Sequence, residues 1–543
     1  MPNLSREDFI SFVTAARAQS PRGTTIAVPL ALRVLSDQLT PVLAYRRLVA
    51  PDQRTFPSFL LESVEGGERQ GRYSIMGSRP TEEVIAYAGR SIAIRLHRED
   101  SPIAAAPAYS GRDPFELLRR RTKHIRFMLP PRRGTKDELP GCVLGGWFGF
   151  AAYDSVRYGE MDKLPFNAAP RDDRNLPDLH FGFYDGVIAF DHVDKVVFIV
   201  RIALVAPEND PGSVYYSIER ELKMKLAMIE QPSKPLASGL LPRELAKGEP
   251  LPSNLTRETH AAMLAKAKEY IKAGDIFQVV LGQRFERISA ADPFDVYRAL
   301  RAVNPSPYMV YMQCEGCILV ASSPEILCRV RKNAMGARIV TNRPLAGTRR
   351  RGATVEEDKA LEGELLADEK ERAEHVMLVD LGRNDVGIVA KAGTIALPAV
   401  MEIERYSHVM HISSTVTGEL RDSLDCWDAL RAALPVGTIS GAPKIRAMQI
   451  IDELEPIKRG PYGGGLGYIG LDGDMDIALA LRTMVVPTAL KKGDDWMYHL
   501  QAAGGIVADS KAEDEFMETV NKAAALARAV DVAEIAFGGK EQG

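Results

Sequence analysis

Residues 344–389 constrain this chain more than any other stretch. The run Pro344-Leu345-Ala346-Gly347-Thr348 is followed by Arg349-Arg350-Arg351-Gly352. A long charged segment then ends in Leu381-Gly382-Arg383-Asn384-Asp385-Val386. Leu366, Ala373, Met377 and Leu381 recur at helical spacing and predict a buried stripe. Glu371, Glu374 and His375 fall on another face, because residues three and four apart are neighbours on a helix. The C-terminal segment repeats the pattern, with Phe516, Val520, Ala523 and Ala527 inward and Glu515, Glu518 and Lys522 together on a different side. Two helices that each present a pair of carboxylates could bracket a hard cation. Mg²⁺ prefers oxygen ligands, keeps water and takes only one or two protein carboxylates plus the substrate. The competing reading is two solvated faces of surface helices.

The rest of the composition narrows the class. The 543 residues are ample for a sizeable core and for two or more domains. With Lys+Arg at 69 against Asp+Glu at 72, the net charge is −3, which gives no electrostatic case for nucleic acid or an anionic membrane. No secretory signal and no membrane-spanning run is expected; the longest apolar stretch, Cys142 to Tyr153, is glycine-rich and reads as strand and turn. Five cysteines, an odd and sparse number, argue for a reducing compartment, and the expectation is a cytoplasmic protein. Cys314 and Cys317 flank Glu315-Gly316 between two apolar runs, which predicts a hairpin tip with structural thiols.

Along the chain, residues 1–235 carry short apolar runs separated by Gly, Pro and charge, a pattern of many strands and few helices. Residues 236–256 are rich in Pro, Ser and charge and read as a linker to a second region, 257–540. There a helix ends at Gly274, and a strand beginning at Ile276 carries Gln278. Pro305 and Pro307 forbid helix before a strand, and the following hairpin ends at Ser323-Pro324-Glu325. Tyr406 to Glu419 reads as a strand through His411, and Arg482 falls in a strand-like run. Ser440 is placed as the cap of a helix with Pro443 in its first turn. Gly463-Gly464-Gly465-Leu466-Gly467 matches neither a Walker loop nor the dinucleotide fingerprint. Carboxylates for a cation, glycine amides, Arg482, and Glu325 and His411 for proton transfer suit a small dianionic acid held by a metal at one end and by Arg and amides at the other. The residues alone reach a Mg²⁺-dependent enzyme acting on a small carboxylic acid.

Taken together, these motifs resemble the chorismate-utilising enzymes, on their anthranilate-forming branch. The likeness is dense from about Leu255 to Val530 and looser in the N-terminal half, where Leu60-Leu61-Glu62-Ser63 and Tyr153-Asp154-Ser155-Val156-Arg157 carry it. The resemblance implies an α+β fold of large antiparallel sheets packed as a sandwich, with helices around the outside. It makes Glu374 and Glu518 the Mg²⁺ ligands, with Glu371 and Glu515 close by through water. Gly347, Thr348, Tyr462, Arg482, Gly504 and Gly505 match positions that hold the carboxylates and enolpyruvyl group of chorismate; Lys522 and Thr438 share that pocket. Glu325 becomes the general acid for the departing hydroxyl, and His411 the aid to pyruvate elimination. Departures are modest: Leu345 stands for Ile, Ile388 for Arg, and Ala503 for a glycine of the substrate loop.

Two positions separate the sister activities. Isochorismate and salicylate synthases carry a lysine base where Gln278 stands, and glutamine cannot activate water, which favours ammonia as nucleophile. Aminodeoxychorismate synthases carry a nucleophilic lysine where Ala346 stands. The alternatives are those two activities and, in a different class, a tryptophan sensor without chemistry. Ser63, Pro307, Tyr308 and Met309 match the family's tryptophan site, so the N-terminal region is expected to be regulatory and feedback inhibition is implied. No glutaminase is recognised in the chain, so a separate glutaminase subunit supplying ammonia is expected, within an oligomer that is a heterotetramer or a homodimer.

Overall fold

The computed structural model describes residues 2–35, 37–65, 69–89, 91–98, 111–131, 138–233, 236, 238–241, 250–406 and 409–538. Residues 237 and 242–249 of the expected linker therefore lie outside the described residues.

Each of two large sheets draws strands from both halves of the chain. The first has 12 strands: its C-terminal part runs from Gly441–Ala442 through Gln278–Ser289 and Trp496–Ile506 to Tyr308–Cys314, which pairs with Ser58–Glu62 of the N-terminal part. The second has 11, from Leu345–Arg350 and Val409–Glu419 inward to Gly465–Gly470, which pairs with Gly146–Ala151. The pairing is antiparallel except where Thr25–Leu35 meets Ile125–Phe127. The sheets pack face to face. Phe59 of the first stacks on Phe148 of the second with 4.1 Å between ring centroids, inside a core that includes Leu319, Val485, Tyr184 and Leu466. Close approach of strands explains the glycines of Gly146–Ala151: a Cβ on Gly149 would stand 1.9 Å from the His180 carbonyl oxygen.

Helices cover the outer faces. Arg6–Ala18, Pro211–Glu230, Pro293–Val303 and Ala512–Phe537 bury their apolar stripes on the first sheet. Glu369–Val389, Cys426–Ala433 and Pro114–Thr122 do so on the second. The expected sandwich with surrounding helices is the observed architecture. Among the described residues no helix is long and apolar enough to cross a membrane.

Arg257–Ala273 is a helix with a Thr256/Thr259 capping box, and Gly274 closes it at φ +83°. Cys314 and Cys317 face each other across the tip of their hairpin, and all five cysteines are free thiols. The charged segment after Arg351 is two helices, Val355–Ala367 and Glu369–Val389, because Asp368 ends one and caps the other. Its buried face carries His375, Leu378, Val379, Gly382, Asp385, Val386 and Val389 rather than Ala373, Met377 and Leu381. Ser440 caps nothing; its hydroxyl donates to the Val436 carbonyl, and Pro443 itself holds the cap position of Lys444–Leu454. Arg482 lies outside the strands, at φ +46° between Met475–Leu479 and Thr483–Pro487.

Candidate active site

The carboxylates come together from two helices. Asp368 accepts the backbone N–H groups of Lys370 and Glu371, fixing the start of Glu369–Val389. The buried His375 pins the same helix to the sheet through a 2.7 Å bond with Ser414 Oγ. Glu374 thereby comes within electrostatic reach of Glu515 and Glu518 on Ala512–Phe537. Burial raises the Glu374 carboxyl above its ordinary range, and the charges of Glu371, Glu518 and Glu515 raise it further. Glu371 is held by Arg349 at 3.2 Å, Glu518 by Lys522 at 2.6 Å, and Glu515 Oε1 by the Ser510 hydroxyl at 2.7 Å. Glu515 Oε2 is buried without a partner, and a Cβ on Gly504 would stand 2.9 Å from it. Among the described residues no three His, Cys, Asp or Glu side chains close into a metal cage. An open set of glutamates with an orphaned oxygen suits Mg²⁺, which keeps water and takes few protein ligands, better than a cation needing a closed shell.

Beside them lie groups for proton transfer. Glu325 follows the Cys317–Ser323 strand, is 4 % exposed, and accepts a 3.0 Å bond from the Thr438 hydroxyl. Burial pushes its carboxyl up to about 8, the Thr438 bond opposing, so it is a protonated acid at neutral pH. His411 is pulled down to about 4 by burial and then by the Arg482 and Lys522 charges, hence neutral. Its Nδ1 lies 3.0 Å from the Gly347 carbonyl oxygen and 3.1 Å from Thr348 Oγ1, which assigns the proton to Nδ1. Among the described residues the buried Nε2, with its lone pair free, has no partner.

The floor is built from small residues on paired strands. Val280, Leu281 and Gly282 oppose Gly505, Gly504 and Ala503. A Cβ on Gly505 would stand 2.5 Å from Gln278 Nε2, while Gln278 Oε1 is buried and unpartnered. Lys522 Nζ donates to the Ala503 carbonyl at 2.9 Å, and the buried Tyr462 hydroxyl meets the Ala503 backbone. Gly347 takes φ +66°, and a Cβ there would stand 3.3 Å from Glu371 Oε2. Arg482 is lowered by burial, and among the described residues no carboxylate is paired with it. That leaves a half-buried cation near His411, of a kind suited to an anion.

Ser63, Pro307, Tyr308 and Met309 line a separate cavity of about 770 Å³. Its wall includes Glu62, which accepts from the Tyr297 hydroxyl at 2.7 Å and pairs with Arg301 at 2.7 Å. The sequence reading missed Tyr406, which lines this cavity and also meets His411. It missed as well the strand Ala396–Arg405 that leads to Tyr406. An aromatic residue preceding the His411 strand was the available signal.

A protonated acid, a neutral histidine, an arginine with no carboxylate partner among the described residues and converging glutamates, carried on this sandwich, suit a small anionic substrate. The chain belongs to the chorismate binding enzyme family, whose model matches residues 56–528. It is 50% identical over 554 residues to anthranilate synthase alpha subunit 1, chloroplastic, of Arabidopsis thaliana, covering 98% of this chain and 90% of that protein. Against anthranilate synthase component 1 of Acetivibrio thermocellus it is 41% identical over 514 residues, covering 93% and 96%. The crystal structure of anthranilate synthase component I from Streptococcus pneumoniae superposes with a TM-score of 0.65 at 34% identity, covering 91% of this chain and 98% of that one. The menaquinone-specific isochorismate synthase of Escherichia coli shares the fold, with a TM-score of 0.63 at 17% identity.

Proposed function

We propose that this chain is the chorismate-converting component of an anthranilate synthase, turning chorismate and ammonia into anthranilate and pyruvate, the committed step toward tryptophan. The observation that carries the reading is the buried acid Glu325, next to a nucleophile side without an ionisable group: Thr438 belongs to the segment that runs into Gly441–Ala442, the strand paired with Gln278 and Val279. Arg482, the Gly504 and Gly505 amides and Tyr462 orient the carboxylates and enolpyruvyl group of chorismate. Glu325 gives its proton to the leaving ring hydroxyl as ammonia adds to the ring. Gln278 offers no base to activate water, so ammonia is the nucleophile. His411 Nε2, with its lone pair free, serves the second step, in which a ring proton is lost, pyruvate departs and the ring becomes aromatic. Glu374 and Glu518, with Glu371 and Glu515 beside them, are the residues to hold Mg²⁺, which when bound supplies positive charge beside the ring carboxylate.

Ammonia comes from a glutaminase partner in an oligomeric assembly, with free ammonia as the alternative source. Tryptophan binds in the Ser63 cavity and favours a less competent active site. Five free thiols support a reducing compartment such as the cytoplasm. The test mixes the chain with chorismate, Mg²⁺ and an ammonium salt at alkaline pH and follows anthranilate fluorescence. Isochorismate or aminodeoxychorismate as product would reassign the activity, and tryptophan binding without turnover would make the chain a sensor.

A further inference from the structure

A buried ion pair outside the substrate floor ties the acid to the carboxylate-bearing helix. Asp385 lies on Glu369–Val389, on the same helix as Glu374, and is 3 % exposed. Its Oδ1 receives the Lys444 ammonium at 2.5 Å, and Lys444 also donates to the Ala432 carbonyl at 3.3 Å. The Gly437 amide lies near enough to favour the Asp385 charge, although Oδ2 makes no hydrogen bond of full geometry. Gly437 opens the one-turn helix Gly437–Ser440, which carries Thr438. That turn lies flat on the longer helix, since a Cβ on Gly437 would stand 2.7 Å from Leu381 Cδ1 and 3.0 Å from its Cβ. On its other side Arg459 donates to the Ile439 carbonyl at 2.7 Å. The turn is thus held between Arg459 and the longer helix, with Lys444 reaching it only through Asp385; among the described residues the Thr438 hydroxyl is its one hydrogen bond to Glu325.

We propose that Asp385 and Lys444 are positioning residues: they clamp the Thr438 turn to the carboxylate-bearing helix and so fix the hydroxyl that orients the Glu325 acid. This rests on the reading of the site as chorismate-converting. The physical reason is that a side-chain hydroxyl can place a proton only as well as its own backbone is fixed, and a buried pair with one partner removed does not hold its geometry. Among the described residues nothing else charged acts on Glu325; burial and the Thr438 bond set its proton affinity. The Thr438 bond lowers that affinity, so a turn that drifts away lets it rise.

Asp385→Asn keeps the shape and removes the charge that draws Lys444. In ammonia-dependent turnover of chorismate, kcat is expected to fall about tenfold or more with KM for chorismate within about twofold, the pattern of an interaction made in the transition state. The alkaline limb of the kcat profile moves to higher pH, a change that a lower folded fraction does not produce. Thr438→Val moves the limb the same way, and the double variant is no worse than the poorer single one. Should Asp385→Asn fail to fold, Gly437→Ala presses a methyl against Leu381 with the ion pair intact, and must move the limb likewise. An unmoved limb in a folded variant, or losses that add in full with Thr438→Val, overturns the clamp. The function reading fails separately: wild-type chain that makes isochorismate refutes anthranilate formation, yet still tests the clamp through the same limb.

Discussion

The ring of Tyr406 stands edge-on to the imidazole of His411, with 5.5 Å between centroids, and lines the cavity that contains Ser63. Its hydroxyl donates to Glu404 Oε2 at 2.8 Å, and Glu404 is paired in turn with Arg343, which also lines the cavity. One side chain is therefore a wall of both sites. An occupant that displaced it would disturb His411, the group proposed for the second half-reaction. Tyr406→Phe, which cuts the bond to Glu404, is expected to retain tryptophan binding by calorimetry while the inhibition constant weakens about 5-fold or more, at the low end of ordinary allosteric coupling. Ser63→Arg fills the cavity mouth and is expected to abolish inhibition. Full tryptophan sensitivity in Ser63→Arg would move the effector elsewhere.

In its proposed role as general acid, Glu325 works only while it carries a proton. Its carboxyl, pushed up to about 8 by burial, is protonated below that pH and loses its proton above it. At saturating ammonia, kcat is expected to decline as pH rises through about 8. His411, pulled down to about 4, gives no limb between there and neutrality. Glu325→Gln keeps the Thr438 contact, cannot donate a proton, and should lower kcat by about 10²–10⁴-fold, the usual contribution of a positioned acid. A variant with the same alkaline limb as the wild type would assign that limb to another group.

On the proposed reading, Gln278 stands where a base would select water. Gln278→Lys is expected to lower anthranilate formation and to release isochorismate, seen by chromatography of the products. The room is tight, because the Gln278 amide already meets the Gly505 backbone with no space for a Cβ. The loss is accordingly put at about 10²-fold, a steric cost of roughly 3 kcal/mol. Unchanged product with unchanged rate would mean that the side chain does not reach the nucleophile.

Much of this was legible in the residues. The helix at Arg257–Ala273, the Cys314/Cys317 hairpin and the pairs Glu371/Glu374 and Glu515/Glu518 followed from spacing and capping. Their partnership did not, because no local pattern says which distant helix a carboxylate faces; only the family resemblance joined them. The phase of Glu369–Val389 was misread because its buried face includes His375, Gly382 and Asp385, which apolar periodicity does not count. These are the residues that bond Ser414, admit the neighbouring strand and hold Lys444. The strand Ala396–Arg405 was hidden by its pattern, with no fully buried residue and Pro398 within it, as suits an edge strand. Arg482 escaped for the opposite reason: apolar neighbours on both sides look like strand, while the backbone turns through φ +46° at the arginine.

Glutamates from Glu369–Val389 and Ala512–Phe537 are proposed to hold one divalent cation between them. Titration with Mn²⁺ in place of Mg²⁺, read by electron paramagnetic resonance, tests it without turnover. One site per chain is expected, weakened about 10-fold or more in Glu374→Gln and in Glu518→Gln, since each removes one of the few carboxylates such a cation takes. The site should persist in Glu325→Gln. Wild-type affinity in both glutamate variants would contradict the account.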